Sequence, residues 1–260
     1  MGGHSYINIV VCNNPLLKNY ERKLNSMNEL ILLLEVVIVF AMVILSHAFF
    51  KREGVITWVA IATILANIIT AKNAEIFGLS TAIGTVMFAS IFLATDILSE
   101  CYSKEDAKKA VYIGLAANIV LICATQIALL YKPSEFDYAD GAMQILFSLN
   151  LRISIASALM YFISNLADIY LFNKIKDKMN GKALWLRNNV STIICNCLEN
   201  FGFIGLAFWG IYDIKTILTI AISTSIVELT VAILDTPFLY IAKGISEKKY
   251  LGSGERKVFD

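Results

Sequence analysis

The chain is poor in charged residues and histidine, and each scarcity narrows the classes of protein to which it can belong. Charged residues make up 17% of its 260 residues and hydrophobic residues 57%, with a mean hydropathy of +0.66. That balance is too apolar for one soluble domain of this length. The net charge of +1 offers no basic surface, so no nucleic-acid partner is expected.

Motifs for metal, disulfide and nucleotide chemistry are also missing from the sequence. The two histidines, His4 and His47, lie in a tail and at a span end, so they form no metal-binding pair. The five cysteines follow neither a disulfide framework nor a zinc spacing. No GxSxG or Walker A sequence is present, so ATP hydrolysis would need another subunit. We therefore expect no enzyme activity and no cofactor.

Seven long apolar runs dominate what is present, and most can cross the roughly 30 Å hydrocarbon core at about 1.5 Å per residue. Several runs contain ionisable residues, which are costly in hydrocarbon and normally face a bundle interior on a substrate or ion path. The pattern predicts an all-α, polytopic transmembrane bundle, and it is most typical of a transporter. The runs cover residues 30–50, 55–71, 79–99, 110–131, 143–172, 189–211 and 214–242.

Short connections between the runs leave little room for an extramembrane domain. We predict a tail over 1–28, an extra N-terminal helix over 29–50, a six-helix core over 51–245 and a cytoplasmic C-terminal tail over 246–260. The first run can either cross the bilayer or lie on its surface, and the sequence leaves both open.

The distribution of basic residues predicts the orientation. The connections at 51–54, 100–109 and 173–188, together with the segment after Ala242, carry fifteen Lys and Arg, whereas the opposite side carries six. By the positive-inside rule the first set faces the cytoplasm. We expect an inner (plasma) membrane protein with a cytoplasmic C-terminus and, if the first run crosses, an outside N-terminus.

Amide and charged residues mark the outer and middle depths of the predicted bundle. Asn196, Glu199 and Asn200 form one helical stripe near the middle of the sixth run. Asn67 and Arg152 lie toward the outer side. Arg152 can contact a substrate or act as a structural counter-ion, and both roles stay open.

Carboxylates mark the cytoplasmic side. Asp96 and Glu100 are four residues apart, so they share a helix face near the end of the third run. Glu100 is either functional or solvated at the helix end. Asp168 lies near the cytoplasmic end of the fifth run, and Asp235 lies about two turns beyond Glu228, which is close to the middle of the seventh. The pattern predicts a cytoplasmic constriction rich in carboxylates.

An ordered set of short motifs runs through the chain. It includes TDILSECY at 95–102, LWLRN at 184–188 and DTPF at 235–238. Over about residues 55–245, this set resembles the vitamin-uptake-type transporter family of queuosine precursor transporters. Three departures stand out from the family pattern: Ser103 replaces Gly, Glu199 replaces Asp, and Glu228 replaces a Lys found in many relatives.

The resemblance implies import of deazaguanine bases, the cyano or aminomethyl precursors of the tRNA nucleoside queuosine. A guanine-like edge places a ring N–H beside an amine, which a carboxylate accepts in bidentate fashion. The base carbonyl needs a donor, and its flat face suits Phe201 or Phe203. The predicted substrate-binding residues are Glu199, Asn196, Asp168, Arg152 and Asn67, and the predicted coupling or gating residues are Asp96, Glu100, Asp235 and Glu228.

Three functions fit this pattern. The first is a secondary importer, proton-coupled through Asp96, Glu100 or Asp168. The alternative is a substrate-binding membrane subunit that docks onto an ATP-driven energising module. The third is a membrane scaffold or enzyme without transport. This function does not explain why charged residues of different runs lie at related depths in the membrane. The expected partners are a small-molecule base, the lipid bilayer and either further copies of the chain or an energising subunit.

Overall fold

The computed structural model describes residues 15–147 and 151–253, and it describes side-chain surroundings for 27–147 and 152–247. These residues form a helical bundle with one small hairpin, which confirms the predicted all-α membrane fold. The elements are α1 (Pro15–Ile69), β1 (Asn73–Ile76), β2 (Leu79–Ala82), α2 (Thr85–Cys101), α3 (Lys104–Ala128), α4 (Asp140–Phe147), α5 (Leu151–Lys178), α6 (Leu184–Phe208), α7 (Ile214–Ile233) and α8 (Thr236–Ser253).

Several described helices are long and apolar enough to cross a membrane, so the protein is a multi-pass membrane protein. α2 has only 17 residues, about 26 Å of helix. It lies at the centre, because 15 of those residues are buried. The segments that meet the length and hydropathy requirements are Met27–Ile69, Lys104–Ala128, Arg152–Lys178, Leu184–Phe208 and Ile214–Glu247.

α1 folds back on itself at Lys51, whose φ of 57° and ψ of −139° are not helical. The residues before Lys51 form a first arm and those after it a second arm. Asn28 Nδ2 donates to Glu75 O at 3.0 Å, so the part of the first arm just before the first predicted run lies beside the segment that follows the second arm. The first predicted run therefore extends along the whole bundle beside the second run.

The first arm packs through one face only. Val36, Phe40, Val43 and His47 are buried at helical spacing, whereas Leu33, Val37 and other residues on the opposite face are exposed. This exposure of apolar side chains is what a lipid-facing helix requires. His47 also contacts the Tyr102 and Ser246 hydroxyls at 3.2 and 3.1 Å, which ties the end of the arm to α2 and α8.

β1 and β2 form an antiparallel hairpin at one end of the bundle, with Asn73 opposite Ala82. Its turn residues Phe77 and Gly78 have φ of 53° and 72°, as a tight two-residue hairpin turn requires. The third predicted run begins in this hairpin, so its helix starts at Thr85 and not at 79. We call this the hairpin end, and the opposite end, with Lys51 and the α5–α6 turn, the basic end.

The fifth and seventh predicted runs each correspond to parts of two helices. In the fifth run, 143–172, residues 143–147 belong to α4 and 151–172 to α5, and residues 148–150 lie outside the described residues. The seventh run, 214–242, breaks between α7 and α8. Pro237 occupies the first turn of α8, where its missing N–H costs no helical hydrogen bond, so the sequence permits a new helix to start there.

Side-chain caps fix where α3 and α7 begin. Ser103 Oγ accepts a hydrogen bond from Asp106 N at 3.0 Å and thus caps α3. Asp213 accepts hydrogen bonds from the hydroxyl and backbone N–H of Thr216, at 2.6 and 3.1 Å, and caps α7. These two bonds lower the pKa of the Asp213 carboxyl below its usual value, and the bond from the Thr216 hydroxyl has the larger effect.

Helical structure extends into both predicted tails. α1 begins at Pro15, inside the predicted 1–28 tail, and α8 ends at Ser253, inside the predicted 246–260 tail. The rest of those tails, residues 1–14 and 254–260, lies outside the described residues. The division into an extra helix and a six-helix core stays a prediction.

We predict that Gly54→Val destabilises the protein, because a Cβ at Gly54 would clash with Ser46 O and Phe50 Cβ on the first arm. Overpacking of this kind costs about 1–3 kcal/mol. The thermal unfolding midpoint of the protein in detergent should fall by several degrees. Gly205→Val is the matched control, since no neighbouring atom of the described residues lies within 4 Å of a Cβ there. Equal midpoints for the two variants would contradict the tight packing of the arms.

Candidate functional site

A cavity of about 570 Å³ lies in the half of the bundle next to the hairpin. This volume falls within the range of roughly 300–1,000 Å³ that is usual for small-molecule sites. The second arm of α1, the hairpin, α2, α5, α6 and α7 all contribute to its wall. Asn73 and Ser80 of the hairpin line the cavity and are also exposed on the surface, so the cavity opens toward the hairpin end.

The predicted stripe on α6 faces this cavity. Asn196, Glu199 and Asn200 all line it, because residues three and four apart share one face of a helix. Glu199 Oε2 accepts a hydrogen bond from Ser164 Oγ of α5 at 2.7 Å. That bond fixes one carboxylate oxygen and connects the cavity to α5.

Glu228 of α7 lines the same cavity. Asn200 Nδ2 donates to Glu228 Oε2 at 2.5 Å and to Ser225 Oγ at 3.3 Å, which joins α6 to α7. The sequence analysis predicts a coupling or gating role for Glu228. The structure brings it together with the predicted substrate-binding residues Glu199 and Asn196.

Aromatic rings form much of the apolar wall. Phe88 and Phe92 lie one turn apart on α2, and Phe203 and Phe208 of α6 pack edge to face with centroids 6.4 Å apart. Phe203 was predicted to line the site, whereas Phe88 and Phe92 were not, although their i, i+4 spacing on one helix is a detectable signal. Phe201, the other predicted aromatic residue, is 42% exposed and is not among the described lining residues.

The two predicted outer residues occupy different places. Asn67 lines the cavity and donates to Thr63 O at 2.8 Å. Arg152 donates to Leu206 O at 2.7 Å and to Trp209 O at 2.8 Å. It thereby satisfies carbonyl groups at the C-terminus of α6. Arg152 is absent from the cavity wall as far as the structure describes it.

Three aspartates form a second polar layer toward the basic end. Asp96 of α2, Asp168 of α5 and Asp235 are fully buried and interact electrostatically with one another. Arg187 also acts on Asp96, but its guanidinium is ion-paired with Glu100. Three buried carboxylates with so little opposing charge are costly unless protons or cations neutralise them. We call Asp96, Asp168 and Asp235 the aspartate cluster.

The break between α7 and α8 positions Asp235. Asn188 Nδ2 of α6 donates to Asp235 Oδ1 at 2.6 Å and to Thr236 Oγ1 at 3.1 Å. Asn189 Nδ2 donates to the same hydroxyl at 2.8 Å. The start of α6 therefore holds the start of α8, and the carboxylate is directed into the bundle.

Glu100 sits in an ion cluster that closes the basic end. Its carboxylate pairs with Arg187 of α6, with Lys243 of α8 at 2.8 Å and with Lys176 of α5 at 3.2 Å. The Glu100 side chain is only 5% exposed, so it is not a solvated helix-end residue. We call Glu100, Lys176, Arg187 and Lys243 the basic-end ion cluster. It joins four helices between the aspartate cluster and the solvent.

Neither the hairpin nor the partners of Glu100 were predicted. The hairpin contributes Asn73, Ser80 and Thr81 to the cavity, and only the Phe77–Gly78 turn signals it in the sequence. The pairing of Glu100 with three cations depends on tertiary contacts. In the described residues, no group of three or more His, Cys, Asp or Glu side chains is placed to hold a metal ion.

Known proteins resemble this chain over most of its length. A family model described as "Putative vitamin uptake transporter" matches residues 82–242. A "Probable queuosine precursor transporter" of Bacillus subtilis (strain 168) is 34% identical over 208 residues, 80% of this chain and 91% of the relative. No solved structure matches the chain.

Two more distant relatives carry similar names. The "Probable queuosine precursor transporter" of Haemophilus influenzae is 29% identical over 138 residues, 53% of this chain and 56% of the relative. The "Queuosine precursor transporter" of Escherichia coli (strain K12) is 26% identical over 165 residues, 61% of this chain and 71% of the relative. These relatives are named as transporters, which confirms the prediction that the chain is not an enzyme.

Proposed function

This chain belongs to the putative vitamin uptake transporter family, as its sequence motifs predicted, and we propose that it imports queuosine precursors. The observation that carries the proposal is a cavity that combines partly buried carboxylates, amides and aromatic faces inside a membrane bundle. Relatives named as queuosine precursor transporters supply the substrate class.

The cavity has the groups that a deazaguanine base needs. Glu199 offers a carboxylate for the ring N–H and amine of the guanine-like edge. Asn196 supplies an amide N–H for the carbonyl, and Asn67 adds a second amide at the wall. Phe203 and Phe92 offer apolar faces for stacking. Asp168 lies outside the described cavity wall, in the aspartate cluster, so we assign the base edge to Glu199.

The distribution of Lys and Arg supports an orientation with the basic end in the cytoplasm of a plasma membrane. The first arm of α1 then begins outside, and α8 ends inside. The cavity lies on the outer side and the basic-end ion cluster closes the inner side. This conformation would receive substrate from outside.

Coupling to protons is assigned to the aspartate cluster. Its three carboxylates are buried on the path between the cavity and the basic end. A proton bound there lowers the cost of burying their charge, and its release to the cytoplasm would favour a different packing of α2, α5 and α8. The chain would then act as a secondary transporter without an ATP-driven module.

We predict that Glu199→Gln weakens binding of a labelled deazaguanine base, because an amide cannot accept both donors of the base edge. The expected loss is about 1–3 kcal/mol, roughly 5- to 150-fold in Kd. Equilibrium binding to the purified protein in detergent measures it. Glu35→Gln is the control, since that partly buried carboxylate lies on the first arm and outside the described cavity wall. Unchanged affinity in Glu199→Gln would remove Glu199 from the site.

We predict that proteoliposomes containing only this chain accumulate the base when the outside is more acidic. One pH unit can support about tenfold accumulation for each coupled proton. Asp96→Asn removes a proton site, so it should still equilibrate the base but not concentrate it. Asp177→Asn, at an exposed position of the basic end, should behave like the parent chain.

Two other results of this uptake experiment would reject the coupling. Equilibration by the parent chain that ignores the proton gradient would make it a facilitator. Tight binding without uptake would support the alternative of a substrate-binding subunit that needs an ATP-driven module.

We predict that Lys243→Gln favours the inward-open state, because it removes one of the three cations that bind Glu100. Native Cys195, which is fully buried, serves as the reporter once the other cysteines are replaced. A partly exposed ion pair contributes up to about 1 kcal/mol, so maleimide labelling from the basic side should become up to roughly fivefold faster. Lys109→Gln, exposed on α3, is the control. Equal labelling rates for the two variants would mean that the basic-end ion cluster does not hold the inner side closed.

A further inference from the structure

The cavity holds two carboxylates and no opposing charge among its described lining residues. Glu199 comes from α6 and Glu228 from α7, whereas no Lys, Arg or His belongs to the part of the wall that the structure describes. Arg152 is directed to carbonyl groups of α6 instead. When both carboxylates are ionised, the cavity therefore carries negative charge that no described wall residue compensates, and such charge is costly inside a bundle.

Each of these carboxylates is held in place by one hydrogen bond to its Oε2 atom. Ser164 supplies the bond to Glu199 at 2.7 Å, and Asn200 supplies the bond to Glu228 at 2.5 Å. Within the described residues, the Oε1 atom of each accepts no side-chain or backbone hydrogen bond. The carboxylates are thus oriented by the protein but keep an acceptor for a ligand.

Asn196 is a separate indication that this cavity binds a polar ligand. Its side chain lines the cavity, is 3% exposed, and makes no hydrogen bond within the described part of the chain. Its polar atoms are therefore available to a ligand in the cavity, and a ligand that bonds to them would gain affinity. Asn196 lies one turn from Asn200, the residue that holds Glu228, so a ligand on Asn196 lies near both carboxylates.

One carboxylate is enough for the neutral edge of a guanine-like base. The second has no partner on that edge, and aromatic side chains such as Phe88 and Phe203 cannot neutralise it. A protonated amine on the ligand would supply both the missing charge and three N–H donors. A nitrile at the same position would offer neither.

We propose that Glu228 selects queuosine precursors that carry a protonated aminomethyl group over those that carry a neutral nitrile. This inference rests on the proposed function and refines it: Glu199 binds the edge that both precursors share, and Glu228 binds the substituent in which they differ. Glu228 is then a specificity-determining residue that contacts the substrate.

Binding of the aminomethyl and the cyano deazaguanine bases to the purified full chain tests the proposal. We expect the parent chain to bind the aminomethyl base at least tenfold more tightly. Glu228→Gln should abolish that preference, because it raises the Kd of the aminomethyl base far more than the Kd of the cyano base, in keeping with the loss of one charge-assisted hydrogen bond. Glu228→Asp keeps the charge and should keep a preference for the amine.

The outcomes separate this inference from the function on which it rests. Glu199→Gln should weaken both bases alike, because both present the same edge. Equal binding of the two bases by the parent chain, or equal weakening of both by Glu228→Gln, would overturn the selection by Glu228 and leave the import of precursors standing. Binding of neither base by folded parent chain would overturn the proposed function and the selection together.

Discussion

The free energy needed to bury charge inside a membrane bundle governs where the ionisable residues of this chain lie. At the basic end, Glu100 is buried together with three cations, so its charge is compensated by direct ion pairs. Deeper in the bundle, the aspartate cluster lacks such compensation. In the cavity, Glu199 and Glu228 have hydrogen-bond donors but no counter-charge in the described wall. Charge is thus compensated at the closed end and lacks opposing charge in the two layers beyond it, and these are the layers to which proton and ligand binding are assigned above.

Breaks in the helices make this arrangement possible. The fold at Lys51 returns α1 along the bundle and leaves its first arm on the outside. At the interruption before α8, the side chains of Asp235 and Thr236 accept hydrogen bonds from Asn188 and Asn189, which fixes Asp235 where it interacts with Asp96. The hairpin replaces the first turn of a helix with exposed polar residues at the cavity mouth. In each case an irregular segment lines or borders a polar region, the setting in which membrane proteins tolerate it.

The sequence was sufficient to predict features that depend on local periodicity. Apolar runs located the helices, and spacing along α6 correctly grouped Asn196, Glu199 and Asn200 on the face that lines the cavity. The roles that depend on tertiary partners were harder to assign. Glu228 was predicted in coupling or gating, and Asp168 in substrate binding or proton coupling, and these roles stay predictions. Glu228 lines the cavity, and Asp168 lies in the aspartate cluster. Depth along a helix does not specify which neighbouring helix a side chain meets. Arg152 shows this most clearly, because the partners described for it are backbone carbonyls, which no sequence pattern identifies.

The two polar layers share helices, which gives them a physical means of communication. On α5, Ser164 binds Glu199 of the cavity, and Asp168 of the aspartate cluster lies one turn farther along the same face. On α6, Asn188 binds Asp235, and the four-residue spacing continues through Thr192 and Asn196 to the cavity. A proton on the aspartate cluster and a substrate in the cavity occupy separate sites, so both can be bound at once, as the proposed import driven by an inward proton gradient requires. If the shared helices move as units, filling or emptying one site shifts the groups that form the other.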